Sequence, residues 1–200
     1  MKVSIVDYGA GNLPSVERAL AVLGAATERA SEARQISNAQ VLVLPGVGHF
    51  SAFVAGLRAR KLEAVIRDAH ARAVPILGIC LGLQAFFVSS HEAPNEAGLG
   101  FLDGDVRSLP ERVKSPHLGW NQVRTVKIGR LLRGVAADAH FYFAHSFAAP
   151  VNEYTAAACD HGFPFAAVIE FKNLFGVQFH PEKSGATGSR VLRNFLDATR

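Results

Sequence analysis

Three short apolar runs do most to constrain how this chain can fold: VSIVD at residues 3 to 7, VLVLP at 41 to 45 and VPILGI at 74 to 79. Each is too short for a typical helix and too continuously apolar for a strand with one wet face, and each ends at a glycine or proline ahead of a helix-like segment. Strands buried on both faces and alternating with helices describe an α/β fold with a parallel sheet covered on both sides. The intervening helices are expected at residues 15 to 24, stopping at Gly24, and at 53 to 71, split near Lys61. In the second half HFYFAHSF, YTAAACDHG, PFAAVIEFKN and LFGVQFHPE read as strands separated by Gly, Pro and Asn turns, and a last amphipathic helix is expected at roughly 187 to 198. The expected architecture is a mostly parallel central sheet flanked by helices, with additional antiparallel strands in the second half. No repeat, low-complexity tract or long linker interrupts the chain, so residues 1 to 200 read as a single domain sharing one core.

The composition narrows the partners. Hydrophobic residues at 49% and charged residues at 19% suit a globular protein, not a disordered one. The net charge is +4, but the basic residues are scattered singly and form no run that would track a phosphate backbone, so no nucleic acid partner is expected. No apolar run reaches the ~18 residues of a membrane span, and MKVSIVDYG enters a strand at once, so no membrane contact and no leader are expected and the location is read as cytoplasmic. In a reducing compartment the two cysteines, Cys80 and Cys159, are better read as buried or catalytic thiols than as a bridge.

Cys80 stands in Gly78-Ile79-Cys80-Leu81-Gly82, the glycine-x-nucleophile-x-glycine form of a strand-to-helix elbow with Cys in place of Ser. The turn crowds the residues two before and two after the nucleophile, and glycines relieve the clash. With 18 glycines in 200 residues, chance would flank a given cysteine this way only about 1% of the time, and the preceding apolar run and following helix pattern supply the context the motif needs. A thiol at a helix N-terminus is favoured as the reactive thiolate. It also needs a base. GVQFHPE offers His180 with Glu182 two residues on, and in an extended segment the two side chains would share one side, Glu182 orienting His180 while His180 moves the proton. A surface His-Pro-Glu turn is the bland alternative.

LPGVGHF, at 44 to 50, follows another apolar strand, and its Gly46 to Gly48 N–H groups, with the N–H of Leu81, are candidates for an oxyanion hole. A phosphate loop fits less well, because no G-K-[ST] follows. The histidines show no zinc spacing and no metal is expected. Cys159 reads as a small buried residue.

Together PGVGHF, GICLGLQ and GVQFHPEKS, in this order, resemble the class I (triad) glutamine amidotransferases from end to end of the chain. DYGAGNL (7 to 13), PHLGWN (116 to 121) and FYFAHSF (141 to 147) are similar to one branch of that family, the glutaminase subunits of imidazole glycerol phosphate synthase. Anthranilate and aminodeoxychorismate synthase subunits resemble the chain at the triad but not in those stretches. The resemblance implies a flavodoxin-like class I glutaminase fold and hydrolysis of L-glutamine to glutamate and ammonia through a γ-glutamyl thioester on Cys80, without a cofactor. It further implies a heterodimer with the cyclase subunit of the synthase. That subunit would use the ammonia to form imidazole glycerol phosphate and an aminoimidazole carboxamide ribotide in histidine biosynthesis.

Carried over by position, the resemblance makes Cys80 the nucleophile, His180 the base and Glu182 its orienter, with Gly46, Val47 and Gly48 on the oxyanion side. Gln84, His145 and Ser146 become glutamine-binding residues, while Asn12, Trp120 and Lys183 turn toward the cyclase. Read physically, His145 fits a hydrogen-bonded strand histidine equally well, and a lone Trp120 is as often core as interface. The chain departs from the family at Pro14, Ala144 and Phe147, where a basic residue, a larger aliphatic and Tyr are usual. Free ammonia protonates at neutral pH, a chemical reason to channel it to a partner, and a Gly46 to Gly48 loop mispoised until the partner is liganded would keep basal turnover low. The alternatives are the glutaminase of another synthase, a stand-alone cysteine hydrolase and a catalytically silent interaction subunit.

Overall fold

The computed structural model describes residues 2–199. In chain order its elements are β1 (Lys2–Val6), α1 (Leu13–Val22), β2 (Ala26–Ala30), α2 (Ala33–Ser37), β3 (Leu42–Gly46), α3 (Phe50–Ala59), α4 (Glu63–Ala71), β4 (Ile76–Cys80) and α5 (Leu81–Gln84). They are followed by β5 (Phe87–Ser90), β6 (Leu102–Ser108), β7 (His117–Gln122), β8 (Arg124–Thr125), β9 (His140–His145), β10 (Phe147–Ala148), β11 (Thr155–Asp160), β12 (Pro164–Phe171), β13 (Leu174–Val177) and α6 (Gly185–Ala198).

An eight-stranded sheet in the order β2-β1-β3-β4-β13-β12-β11-β8 organises the chain. The first five strands are parallel, and β12, β11 and β8 continue it antiparallel. Because β13 lies between β4 and β12, strands from both halves of the chain share this sheet. The continuous apolar runs follow from burial on both faces. Leu42 and Leu44 point into one cluster with Phe53, Leu57 and Ile66 of α3 and α4. Val41, Val43, Leu77 and Ile79 point into the other with Val16 and Leu20 of α1 and Val191 and Phe195 of α6. A three-stranded sheet β10-β6-β5 and a two-stranded sheet β7-β9 complete the strands. No helix among the described residues is long and apolar enough to cross a membrane.

Several boundaries differ from expectation for local reasons. The helix read over 53 to 71 is split near Lys61 as expected, at a residue with φ 56°, but its first half begins earlier, at Phe50, where His49 caps it by accepting from the Ser51 N–H. α1 starts at Leu13, ahead of Pro14, because a proline in the first turn lacks only an N–H that has no helical partner anyway. ATERA was not expected as a strand, yet it pairs in full register with β1 at the sheet edge. The run HFYFAHSF is not one strand: Ser146 breaks it, sending β9 to pair with β7 and β10 with β6.

The elbow itself is a matter of clearance. Cys80 has φ 53° and ψ −108°, a conformation that L residues occupy only under strain. A Cβ on Gly82 would lie 1.8 Å from the carbonyl oxygen of Leu44 on β3, and one on Gly78 would lie 2.7 Å from the Leu83 nitrogen and 2.8 Å from the Gly82 carbonyl carbon. These obstacles are backbone atoms, which cannot swing away. Gly82→Ala is therefore expected to lower the unfolding free energy by about 3 kcal/mol or more, measured as the midpoint shift in urea titration; a loss below about 1 kcal/mol would show that the elbow is not the tight point described here.

Candidate active site

Parallel neighbours deliver side chains to the same end of a sheet, and β4 and β13 are such a pair, with Ile79 opposite Val177. Cys80 ends β4, and His180 arrives three residues past the end of β13. His180 is buried and its Nδ1 lies 2.8 Å from Oε1 of Glu182. A carboxylate only accepts, so Nδ1 carries the proton and Nε2 is left for the Cys80 thiol, which lines the same cavity. The expected extended His-Pro-Glu geometry is corrected in detail: His180 is extended, but Pro181–Lys183 forms a 3-10 turn, and Glu182 reaches back from it. The Ser184 hydroxyl donates to the His180 carbonyl at 2.7 Å and fixes the turn.

Burial opposes a charge on His180, but the nearby Cys80 and the hydrogen-bonded Glu182, through their negative charges, outweigh that cost and raise the ring to about 10. The other oxygen of Glu182 is buried with no hydrogen-bond partner among the described residues. Its charge is therefore spent on the single bond to His180, where low local polarity strengthens it.

Cys80 and His180 open on a cavity of about 230 Å³, whose wall also includes Val47, Gly48, Leu81, Gln84 and Glu92. Ala144, His145, Ser146 and Phe147 form the facing strip and Lys183 the rim. A larger groove of about 610 Å³ elsewhere contains Cys159. There burial, aided by the charge of Asp160, pushes the thiol up to about 12, so it is inert at neutral pH.

Not every residue on the wall is free to act as expected. Gly46 lies behind the wall: it ends β3 opposite Cys80, and a Cβ there would sit 2.7 Å from both the Gly82 nitrogen and the Leu81 Cβ. Its glycine identity is explained by that packing. The Val47 N–H donates to the Tyr8 hydroxyl at 3.2 Å and so is committed away from the sulfur. Leu81, at the first helical position, keeps an N–H without an intrahelical partner beside Cys80. Gln84 is buried, and its Nε2 donates to the Phe147 carbonyl at 2.7 Å and to Gln178 Oε1 at 3.1 Å. Both ring nitrogens of His145 are engaged, with the Phe147 carbonyl at 3.0 Å and His117 Nδ1 at 3.1 Å.

Four participants escaped the sequence reading. Gln178 sends its Nε2 to the Cys80 sulfur at 3.5 Å, and strand alternation two residues before His180 was a usable signal for it. Tyr8, which holds Val47, follows β1 at the same sheet end, where ligand sites of such sheets form. Glu92 accepts from the Phe50 N–H at 2.8 Å, and His117 backs His145; for these two no local pattern pointed to the site.

Outside the cavity the β7-β9 ribbon exposes one apolar face. Leu118 is 65% and Trp120 57% exposed, opposite Ala144 and Tyr142 respectively. Trp120 meets Tyr142 edge to face at 5.9 Å, and the Lys183 ammonium lies 5.7 Å from the centre of the Tyr142 ring. Trp120 is thus not core. Asn12 precedes α1 without a side-chain cap hydrogen bond, and α1 packs against the 3-10 turn holding Glu182 and Lys183.

Residues 4–199 match the family Glutamine amidotransferase class-I. The chain is 46% identical over 200 residues to the imidazole glycerol phosphate synthase subunit HisH of Moorella thermoacetica, covering 99% of this chain and 95% of that protein. It is 44% identical over 200 residues to the subunit of the same name from Rhodopirellula baltica, covering 98% and 97%. A solved glutamine amidotransferase superposes with a TM-score of 0.78 at 17% identity, covering 98% of each chain, which supports the fold alone. With a cysteine elbow, a buried histidine and its carboxylate at the C-terminal ends of adjacent parallel strands, and with these relatives along nearly its whole length, the chain belongs to the class I glutamine amidotransferases, in the group of the imidazole glycerol phosphate synthase HisH subunits.

Proposed function

We propose that the chain is the glutaminase subunit of an imidazole glycerol phosphate synthase, a single glutaminase domain over residues 1 to 200 that releases ammonia from L-glutamine in the cytoplasm for a cyclase subunit. The observation that carries the chemistry is the placement of Cys80 and His180 on one small cavity, with His180 bonded from behind by Glu182. The relatives named for the synthase subunit supply the biological setting.

In this reading His180 is protonated at neutral pH and paired with a Cys80 thiolate. The sulfur attacks the carboxamide carbon of glutamine, and the His180 imidazolium gives its proton to the departing ammonia, leaving a γ-glutamyl thioester. His180, now neutral, takes a proton from water, whose hydroxide releases glutamate and restores the thiolate. Glu182 holds the tautomer and the developing charge throughout. The Leu81 and Gly48 N–H groups, on the cavity wall, are the candidates to receive the oxyanion; Val47 joins them only after leaving Tyr8, and this supports a loop that is set by the partner. Glu92 offers a carboxylate for the substrate ammonium, with Gln84, His145 and Ser146 shaping the pocket. At about 230 Å³ the cavity falls below the roughly 300–1,000 Å³ of drug-sized sites, which favours one amino acid over a peptide substrate.

For the partner, the reading takes the exposed Leu118–Trp120 face, continuous through Ala144 and Lys183 with the cavity mouth, as the docking surface, with Asn12 ahead of the helix that packs on the Lys183 turn. Exposed aromatic anchors next to a cation are common interface hot spots. Pro14 adds nothing charged there, and its place in the first turn of α1 accounts for it structurally.

Glutamate release by the purified chain should rise at least tenfold with the liganded cyclase subunit and fall on the order of 10⁴-fold or more in Cys80→Ala. Full turnover without the partner would instead favour a stand-alone hydrolase. Trp120→Ala should weaken association with the cyclase by roughly tenfold or more, read by calorimetry, while leaving the fold unchanged by circular dichroism. The pH dependence has a definite sign. A histidine raised on folding from 6.5 to about 10 contributes stability that is present below pH 6.5 and lost as the pH climbs toward 10. Urea midpoints should therefore fall over that interval, and the fall should be smaller in His180→Gln; identical slopes would contradict the charged ring.

A further inference from the structure

His145 lines the cavity, yet its ring is fixed from behind by residues that take no part in the reaction as drawn. The Phe147 carbonyl only accepts, so the 3.0 Å contact puts the proton of His145 on Nδ1. Nε2 is then an acceptor and faces His117 Nδ1 at 3.1 Å, so His117 carries its proton there. His117 Nε2 in turn accepts from Asn121 Nδ2 at 3.3 Å. The Asn121 amide cannot be reversed, because Nδ2 also donates to the Asp160 carbonyl at 3.0 Å while Oδ1 accepts the Gln122 N–H at 2.8 Å. Donor polarity thus runs one way, from Asn121 through two imidazoles to Phe147.

The His117 ring has little freedom to turn. It stacks on Phe143 at 4.7 Å and on His161 at 4.0 Å, and it is buried. Burial, with the neighbouring His161, holds His117 down to about 4, and burial, with His117, holds His145 down to about 3, so both rings are neutral. The chain ends on a carbonyl that is shared: Phe147 O also accepts from Gln84, which bonds Gln178, which reaches the Cys80 sulfur.

We propose that His117 is a positioning residue of the glutaminase site: its Nδ1–H sets the tautomer of His145, and through His145 it fixes the Phe147 carbonyl and the Ser146 strip against which glutamine is held. The role rests on the glutaminase reading of the Cys80 cavity. Without that donor, His145 Nε2 becomes a buried unpaired acceptor, and the ring regains a partner for it only by rotating and releasing Phe147. The wall then shifts while the sulfur and its base remain paired, so substrate affinity is the quantity affected.

The test measures glutamate release by the full chain with the cyclase subunit for wild type, His117→Phe and His117→Asn. Phe keeps the stacked shape and loses the donor; Asn loses the ring and keeps an N–H close to Nδ1. His117→Phe should raise KM for glutamine roughly tenfold or more with kcat changed less than about threefold, while His117→Asn stays within about threefold of wild type in KM. Alkylation of Cys80 by iodoacetamide, which needs the thiolate but not the wall, should be unchanged in both. Wild-type kinetics in His117→Phe, or equal damage in the two variants, would overturn the proposal in favour of packing alone. Nitrogen-15 NMR of the wild-type imidazoles gives a readout independent of the variants: Nδ1–H tautomers at both His117 and His145 are expected, and an Nε2–H tautomer at either overturns the proposal. No turnover in the wild type would remove the glutaminase reading, and this role with it, an outcome distinct from any difference among the variants.

Discussion

Everything at the active site depends on the clearance between the backbone of β3 and the first turn of α5. The carbonyl of Leu44 passes so close to Gly82 that no side chain fits, and Gly46 and Gly78 are excluded from carrying one by the same turn. This close passage lets the chain reverse within one residue at Cys80, whose φ of 53° is held by pairing of β4 on both edges, to β3 and to β13. A strained residue of this kind stores on the order of 1–3 kcal/mol and persists only where its surroundings over-determine it. Here two parallel neighbours do so, and one of them also brings the base.

Two histidines of the same cavity are held in opposite charge states by what each ring donates to. His180 donates to a carboxylate and meets a thiol, so its positive charge is favoured despite burial. His145 donates to a carbonyl and accepts from a neutral imidazole, so burial prevails and the ring stays uncharged. The difference confines the mobile proton to the side of the cavity that holds the sulfur. A second cationic imidazole would compete for the thiolate and lower its nucleophilicity.

Much of this was legible in the sequence, and the limits have physical reasons. The buried parallel strands announced themselves through apolar runs, and the elbow through Gly78 and Gly82, because both are enforced by local sterics. His180 and Glu182 were legible as a pair, although the 3-10 turn that joins them was not. β2 escaped because an edge strand needs no continuous apolar run. The break at Ser146 was invisible because the bonds that create it come from Leu109, Gln84 and His145. Gly46 and Val47 were read together, but Gly46 ends β3 behind the cavity wall and the Val47 N–H is committed to Tyr8, 39 residues away. Long-range hydrogen bonds leave no periodic trace in a sequence.

The position of β13 between β4 and β12 has a consequence for the order of assembly. Gln178 meets Cys80 across 98 residues of chain, and His180 comes two residues later still. Until that late strand docks, β4 lies at an open edge and the sulfur has no imidazole beside it. A nascent or partly folded chain therefore carries an unactivated thiol, much less prone to oxidation, alkylation or disulfide exchange than a paired thiolate. The reactive group comes into being only on closure of a long-range parallel contact, a slow kind of contact to form.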